Sequence, residues 1–381
     1  MDIVNRTQGQ GSIQAKADQE QRLPAKNEPP GQSAGGVFLY GERVERISLD
    51  QRDIRSSEPG SNLVLHDFRS ATAAVRRFEN LKNEMTKLGK GNYGQVYECE
   101  DLQQNKLAVK CHHRNFSELL KVDPNRGEVL LLTMLEHHPN IMAIKSILIG
   151  DMDKRRYGLI TSPRQLPEDL DRLFVSCVVS EKVEGVSLDQ FIKETDCDEK
   201  GIVKIFLQLA SAVAFIHRNK CTHRDISTTN VMYDPEAGLK LIDFGSFKRG
   251  LKRTGSYVGA LQLIGKDCLP LDQGGYDPVA LDLSEMGAVI LYCLTGKYIS
   301  NFNEMNDSFD FPGSGVESRR FCASMFANKT DQNKKKIITS HLKSRLKDMG
   351  PKCLDIVIQL LHPDPSKRLS ALQVVERLES I

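Results

Sequence analysis

Two aspartates define the chemistry open to this sequence. Asp225 stands in His223-Arg224-Asp225-Ile226-Ser227-Thr228-Thr229-Asn230, and Asp243 opens Asp243-Phe244-Gly245 eighteen residues later. An aspartate followed five residues on by an asparagine has the spacing of a loop that moves a phosphoryl group. Asp225 would accept or orient the proton of an attacking hydroxyl, and Asn230 would hold a divalent cation. Asp243 follows the strand-like run Leu239-Lys240-Leu241-Ile242. It would be the main cation ligand, bridging two phosphates.

Two further pieces lie upstream. Lys110 ends Leu107-Ala108-Val109-Lys110, and a lysine on a half-buried strand is costly unless paired. Glu128, on the following helix, is an available partner that could hold Lys110 against the α- and β-phosphates. Before it runs Gly89-Lys90-Gly91-Asn92-Tyr93-Gly94-Gln95-Val96. Glycines let backbone approach phosphates closely. The same spacing occurs in dinucleotide folds, where it opens a helix; here another strand follows, which points to a hairpin lid over a nucleotide.

These residues need a frame. Residues 84–100 and 106–111 read as strands around the glycine turn. Asn125-Arg126-Gly127-Glu128 and the apolar run after it read as a helix. Residues 140–150 and 172–183 read as further strands, joined by a polar connector, expected to be irregular, from about Asp151 to Asp171. After Gly185 the pattern is mostly helical: 187–194, 200–220, 281–296, 352–362 and 370–381. A β-rich lobe, a connecting segment and a larger helical lobe make a cleft between them, an α+β bilobal architecture. No internal repeat is visible.

Residues 1–36 carry no aromatic side chain and are rich in polar residues, Gly and Pro; they are expected to be disordered. Residues 37–84 read as an extension with a strand or two and an amphipathic helix bearing Phe68, Ala71, Val75, Phe78 and Leu81 on one face. That helix would pack on the following domain, or dock an activating or targeting partner. The 381-residue chain has a net charge of +2, so nothing pulls it globally toward nucleic acid or membrane. Lys248, Arg249, Lys252 and Arg253 form one basic cluster. Lys329 with Lys334-Lys335-Lys336 forms another, expected in solvated loops. Nine cysteines without a CxxC pair suggest free thiols in a reducing, cytoplasmic compartment. No apolar run reaches the roughly 18 residues that span a bilayer, and no export signal is expected at the N-terminus.

In order and context, residues from about 85 to 381 resemble the eukaryotic-type protein kinase domain, with an N-lobe at 85–180, a hinge at 181–185 and a C-lobe at 186–381. Lys110, Glu128, Asp225, Asn230 and Asp243 match the family's catalytic set one by one, with Asn230 and Asp243 as metal ligands. The resemblance implies ATP and Mg²⁺ (Mn²⁺ as the alternative) and a protein substrate. It implies a glycine-rich loop at Gly89, Lys90, Gly91 and Gly94. Adenine would pair with hinge backbone from Glu181 to Val183, beside Ser180 at the gatekeeper position. Leu88, Val96 and Ala108 would form its ceiling, Met232 and Ile242 its floor. Asp282 and Gly287 match the central helix of the large lobe, and Asp364-Pro365-Ser366-Lys367-Arg368 the closing motif.

The match breaks in places. Ser227 stands where Ser/Thr kinases carry a lysine. In residues 258–267, Ala260 replaces a threonine, Lys266 a proline and Asp267 a glutamate; Asp267 could still pair with Arg368. Losing one charge-stabilising donor costs on the order of 10²–10³ in rate, so Lys90 or Lys248 becomes a candidate for the missing charge. Arg224 would receive a phosphorylated loop residue, with Thr254, Ser256 and Tyr257 as acceptors. The expectation is an active Ser/Thr-type kinase, with Tyr as a second acceptor class and autophosphorylation. The competing readings are a pseudokinase-type scaffold, disfavoured because the five catalytic residues survive, and a small-molecule kinase. A polar leader before a compact divergent kinase also resembles bacterial effectors injected into host cells.

Overall fold

The computed structural model describes residues 66–67, 86–90, 94–100, 105–112, 122–123, 125–134, 137–151, 156–160, 170–171, 173–252, 276–298, 329–343, 346 and 351–380. The expectations for residues 1–36, for the amphipathic helix of the extension, for Gly91, and for Thr254, Ser256, Tyr257, Ala260, Lys266 and Asp267 lie outside these residues.

In chain order the small lobe contains β1 (His66–Asp67), β2 (Lys87–Lys90), β3 (Gly94–Glu100), β4 (Lys106–His112), α1 (Gly127–Thr133), β5 (Ile144–Asp151), β6 (Arg156–Ile160) and β7 (Leu173–Glu181). The large lobe contains β8 (Val186–Ser187), α2 (Leu188–Glu194), α3 (Glu199–Arg218), β9 (Cys221–Thr222), β10 (Val231–Asp234), β11 (Gly238–Leu241), β12 (Lys248–Arg249), α4 (Pro278–Thr295), α5 (Asp331–Ser340), α6 (Pro351–Leu360) and α7 (Ala371–Glu379).

The small lobe is one antiparallel sheet in the order β1-β6-β5-β7-β4-β3-β2. Two differences from the sequence reading follow from it. The connector between Asp151 and Asp171 is not irregular throughout, because Arg156–Ile160 pairs with β5 as β6. His66–Asp67, expected at the start of a helix, pairs with β6 as the sheet's edge strand. The register puts Val96, Lys110, Val178 and Ile147 opposite one another across four strands, hence on one face. Ile147 and Val178 pack there with Val129 of α1 in a buried apolar cluster. Lys110 is therefore carried on the face that meets the helix bearing Glu128.

The large lobe is built around α4. Asp277 caps it through the amides of Val279 and Ala280, Pro278 opens its first turn, and Gly296 in left-handed conformation ends it. Nearly every α4 residue is buried, so the helix needs no polar face. A Cβ at Gly287 would come within 2.8 Å of the Leu360 Cβ, so glycine is what lets α6 approach. By length and composition α3 and α4 are apolar enough to cross a bilayer, but half of the α3 window and 94% of the α4 window are buried inside the protein. For α4 that is the signature of a core helix. The α7 terminus shows a reciprocal Ser370–Gln373 capping box.

Three of the four lysines of the second basic cluster do not lie in a loop. Lys334, Lys335 and Lys336 belong to α5, and Lys334 is only 1% exposed, with Asp331 at 3.7 Å as its ion partner. Burial, with Arg368 adding to it, holds its ammonium below the usual lysine range against the pull of Asp331. A lysine depressed in the folded state favours unfolding while protonated, so stability should rise with pH toward the ordinary lysine pKa. Lys334→Met should remove that rise and be neutral or stabilising at pH 7, by up to about 1–4 kcal/mol. Urea unfolding across pH measures both; a large destabilisation would show the charge to be needed.

Candidate active site

Lys110 reaches both lobes. Its Nζ donates to Glu128 Oε1 at 3.0 Å and to Asp243 Oδ1 at 2.6 Å. Burial alone would depress the ammonium, but the two carboxylates outweigh it and hold the pKa above the ordinary value. Asp243 shows the complement: burial would raise it, and Lys110 holds it below the carboxylate range. The Asp243 side chain is 44% exposed, so the pair belongs nearer the solvent-screened limit of about 0–1 kcal/mol than the buried one. Its worth lies in placing the two groups.

Glu128 is aimed by the backbone around it. The Gly127 amide donates to Phe247 O at 2.7 Å, the Arg249 amide donates to Asn125 O, and Arg126 bridges Lys248. The first turn of α1 is thereby stitched to the chain just after Asp243-Phe244-Gly245. Asp243 itself has φ of 56°, a left-handed conformation that aspartate tolerates better than most residues. Phe244 is fully buried, edge-on to both His223 and Phe247.

The loop 221–230 is equally constrained. The Asn230 amide nitrogen donates to Asp225 O at 2.9 Å and to Asp225 Oδ2 at 3.0 Å, leaving Asn230 Oδ1 as its oxygen available to a cation. Asp282 accepts the His223 amide at 2.9 Å, the Arg224 amide at 2.7 Å and His217 Nε2 at 2.8 Å. Burial keeps His223 neutral against the nearby carboxylates. Its contacts then assign the tautomer: Nε2–H donates to Ile242 O at 3.2 Å, and Nδ1 accepts the Asp225 amide at 3.3 Å.

The other expected residues fall as follows. Val96 and Ala108 share the Lys110 face, where a ceiling over a nucleotide would be. Leu88 is exposed, next to Gly89 and Lys90 on β2. Met232 lies within the β10–β11 pairing, opposite Lys240, and Ile242 directly follows β11; both are partly buried. The Ser180 hydroxyl donates within the sheet to Ala108 O and Glu181 O. The Glu181 carboxylate accepts from the Ala143 amide at 2.8 Å and from Lys240 Nζ at 2.7 Å. The Glu181 backbone is engaged as well, its amide donating to Ala143 O at 3.0 Å and its carbonyl accepting the Ser180 hydroxyl. Val183 follows in the connection to β8, and Ser227 Oγ lies 3.0 Å from Thr229 Oγ1.

Arg224 differs from expectation. It is almost fully buried, its Nε donates to Ser246 O at 2.8 Å and its Nη1 lies 3.4 Å from Tyr276 Oη. Its guanidinium is thus already engaged by Ser246 and Tyr276. Lys248, a candidate for the charge missing at Ser227, sits with Arg224 and Arg126; burial first, then those two cations, lower its pKa. Sequence reasoning did not single out Tyr276, His217 or Glu285. The legible signal for Glu285 was an acidic residue one turn after Asp282 inside an otherwise apolar run.

A β-rich lobe and a helical lobe joined by a short connection, with a lysine, two aspartates and an asparagine meeting in the cleft, define a phosphoryl-transfer domain. The family model described as protein kinase domain matches residues 82–378, and the chain belongs to that family. Among curated proteins it is 25% identical over 308 residues to Serine/threonine-protein kinase ULK3 of Xenopus laevis, covering 77% of this chain and 53% of that one. It is 26% identical over 304 residues to Putative serine/threonine-protein kinase L673 of Acanthamoeba polyphaga mimivirus, covering 77% and 50%. It is 27% identical over 306 residues to Mitogen-activated protein kinase 10 of Oryza sativa subsp. japonica, covering 74% and 45%. The chain spans about half the length of these relatives.

The glycines of the turn are not equivalent. A Cβ at Gly94 would stand 2.1 Å from Cys111 O across the β3–β4 pair, whereas a Cβ at Gly89 meets nothing within 4 Å. Gly94 is required by its own sheet before any ligand arrives. Gly94→Ala should cost about 1–3 kcal/mol in denaturant unfolding. Gly89→Ala should be neutral or stabilising by about 0.4–1 kcal/mol and change only nucleotide binding. Equal stability losses at both positions would contradict this division.

Proposed function

We propose that this chain is an ATP-dependent protein kinase that transfers the γ-phosphate to Ser or Thr hydroxyls of a protein substrate, with Tyr as the second acceptor class. The observation that carries the reading is the single constellation of Lys110, held by Glu128 and Asp243, beside Asp225, held by Asn230. A binding scaffold would have no need to keep all five in register.

The donor set fits a divalent cation of the magnesium kind. Asp243 and Asn230 offer hard oxygens, and no group of three or more His, Cys, Asp or Glu side chains forms a closed cage among the described residues. Magnesium is typically held by one or two protein oxygens plus phosphates and water. When bound, the cation would neutralise charge on the phosphates. Lys110 would bind the α- and β-phosphates, turning part of its ion pairing from Asp243 toward them. Asp225 would take up or orient the hydroxyl proton, its carboxylate pointed by Asn230. Val96 and Ala108 would cover the base, with Met232 and Ile242 beneath it and backbone from Glu181 to Val183 pairing with its edge. Autophosphorylation at Thr254, Ser256 or Tyr257 belongs to the same proposal. So do a partner acting through residues 37–84, a reducing, cytoplasmic setting and an origin as a bacterial effector.

Phosphate transfer from radiolabelled ATP with magnesium, to the protein itself and to a generic basic protein, tests the reading. The wild type should incorporate label, and Asp225→Asn and Asp243→Ala should each lose at least about 10²-fold. Ser227→Lys reads how far Lys90 or Lys248 already supplies the missing charge. Nucleotide binding without label at any metal would replace the proposal with a partner-activated enzyme or a scaffold.

A further inference from the structure

Glu285 lies on α4 one turn after Asp282, so the two carboxyls share the helix face beneath the phosphoryl-transfer loop. Asp282 takes the His223 and Arg224 amides, and Glu285 Oε2 takes the next one available, that of Ile226, at 2.9 Å. Asp225 sits between these anchored amides, its own N–H on the His223 ring. Glu285 has no exposed surface, and its second oxygen, Oε1, has no hydrogen-bond partner among the described residues. A carboxyl kept out of water with one oxygen unsatisfied is costly. A side chain of similar volume and no charge would pack there at less cost, unless the Ile226 contact is what the position is for.

The charged and titratable groups facing Glu285 come from three elements. Asp282 lies on its own helix, Asp225 and Arg224 on the loop, and Tyr276 just before α4; His217 of α3 stands behind Asp282. Burial first, then the Asp282 and Asp225 charges, push the Glu285 carboxyl well above its ordinary range, more than the Ile226 amide and Arg224 hold it down. The neutral acid suits the surroundings and still serves the contact. Its carbonyl oxygen accepts the Ile226 N–H, and no third negative charge is placed beside Asp282 and Asp225.

We propose that Glu285 is a positioning residue for phosphoryl transfer: by fixing the Ile226 amide it holds Asp225 where Asn230 can point it, a second clamp beside Asp282. This rests on the reading of Asp225 as the group that orients the acceptor hydroxyl. A carboxyl whose pKa is higher folded than unfolded contributes fully in its acid form and loses that contribution as pH rises through the folded value. Ionisation would strengthen the Ile226 bond taken alone, but it sets a third buried negative charge beside Asp282 and Asp225, so the loop they share loosens on the alkaline side.

The test uses the full chain with Glu285→Gln and Glu285→Met. Two readouts are hydrogen exchange of peptides spanning residues 222–232, corrected for intrinsic rates, and steady-state kinetics. Met removes the acceptor, so loop exchange and kcat should change by about 10- to 100-fold, the range for one buried amide left without a partner. KM for ATP should stay within about twofold, because Lys110 and Asp243 are untouched. Gln keeps an acceptor oxygen and cannot ionise. It should exchange and turn over like the wild type near neutrality and lack the wild type's alkaline rise in loop exchange. Met behaving as wild type, or Gln as damaging as Met, overturns the proposal. Exchange is read without turnover, so an inactive wild type with this exchange pattern sinks the kinase reading and leaves the clamp standing. If Met does not fold, the comparison of Gln with wild type across pH decides alone: an alkaline rise in both, or in neither, overturns it.

Discussion

A carboxylate held away from water must be surrounded by donors, and the large lobe is arranged around one such group. Asp282 is fully buried and takes two backbone amides of the loop and one imidazole nitrogen. Those contacts join α3, through His217, and α4 to the chain that carries Asp225. They also support a strained backbone. Arg224 has φ of 67°, and a non-glycine residue there costs of order 1–3 kcal/mol. The bond from its amide to Asp282 and those from its side chain to Ser246 and Tyr276 offset that cost. Within residues 221–226 the local contact that supports this turn is the Asp225 amide on His223 Nδ1; the remaining support comes from residues distant in sequence.

The small lobe is joined to that arrangement along two lines. At the front, the Gly127 amide on Phe247 O and the Arg126–Lys248 bridge hold the first turn of α1, so Glu128 faces Lys110 while Lys110 reaches Asp243. At the back, the Met142 amide donates to Leu241 O, Asn140 exchanges contacts with β11, and Lys240 pairs with Glu181 at the end of β7. The front line involves groups that a nucleotide would contact. The back line is made of backbone and a salt bridge that no ligand need disturb. A cleft with a fixed rear edge and an adjustable front edge follows from that difference.

Much of this was legible because chemistry and periodicity agreed. The catalytic residues have tight spacings, and α3 and α7 combine clear apolar stripes with side-chain caps at Asp198 and Ser370. The missed parts share a cause: their meaning depends on residues distant in sequence. Arg156–Ile160 is a short run beside charges with a glycine inside it, a poor strand alone; pairing with β5 makes it one. The run Lys334-Lys335-Lys336 looked solvated because charge hid the helical placement of Ile337 and Ile338, both buried. Gly94 has the position of a phosphate-loop glycine, yet the atom that excludes a side chain belongs to Cys111. Glu285 read as an acidic residue in an apolar helix until the loop above it was in place.

The same distinction bears on Ser227. Where a cation was expected, the loop holds hydroxyls: Ser227 with Thr229, and Thr228 with Tyr298, whose Oη donates to Asp189 on α2 at 2.8 Å. The neutral bonds among them contribute about 0.5–1.5 kcal/mol each, and what they supply is geometry. Catalysis by positioning and catalysis by charge are separate contributions, and the sequence changes here touch only the second. Asp225 is oriented by Asn230 and by the amides clamped on α4 without any help from a lysine at position 227. On the proposed reading, the charge has to come from Lys110, from the cation held by Asp243 and Asn230, or from the substrate itself. On the same reading, a loop tied down by these hydroxyls and by the Asp282 carboxylate would still place the acceptor hydroxyl where one source of electrostatic stabilisation is gone.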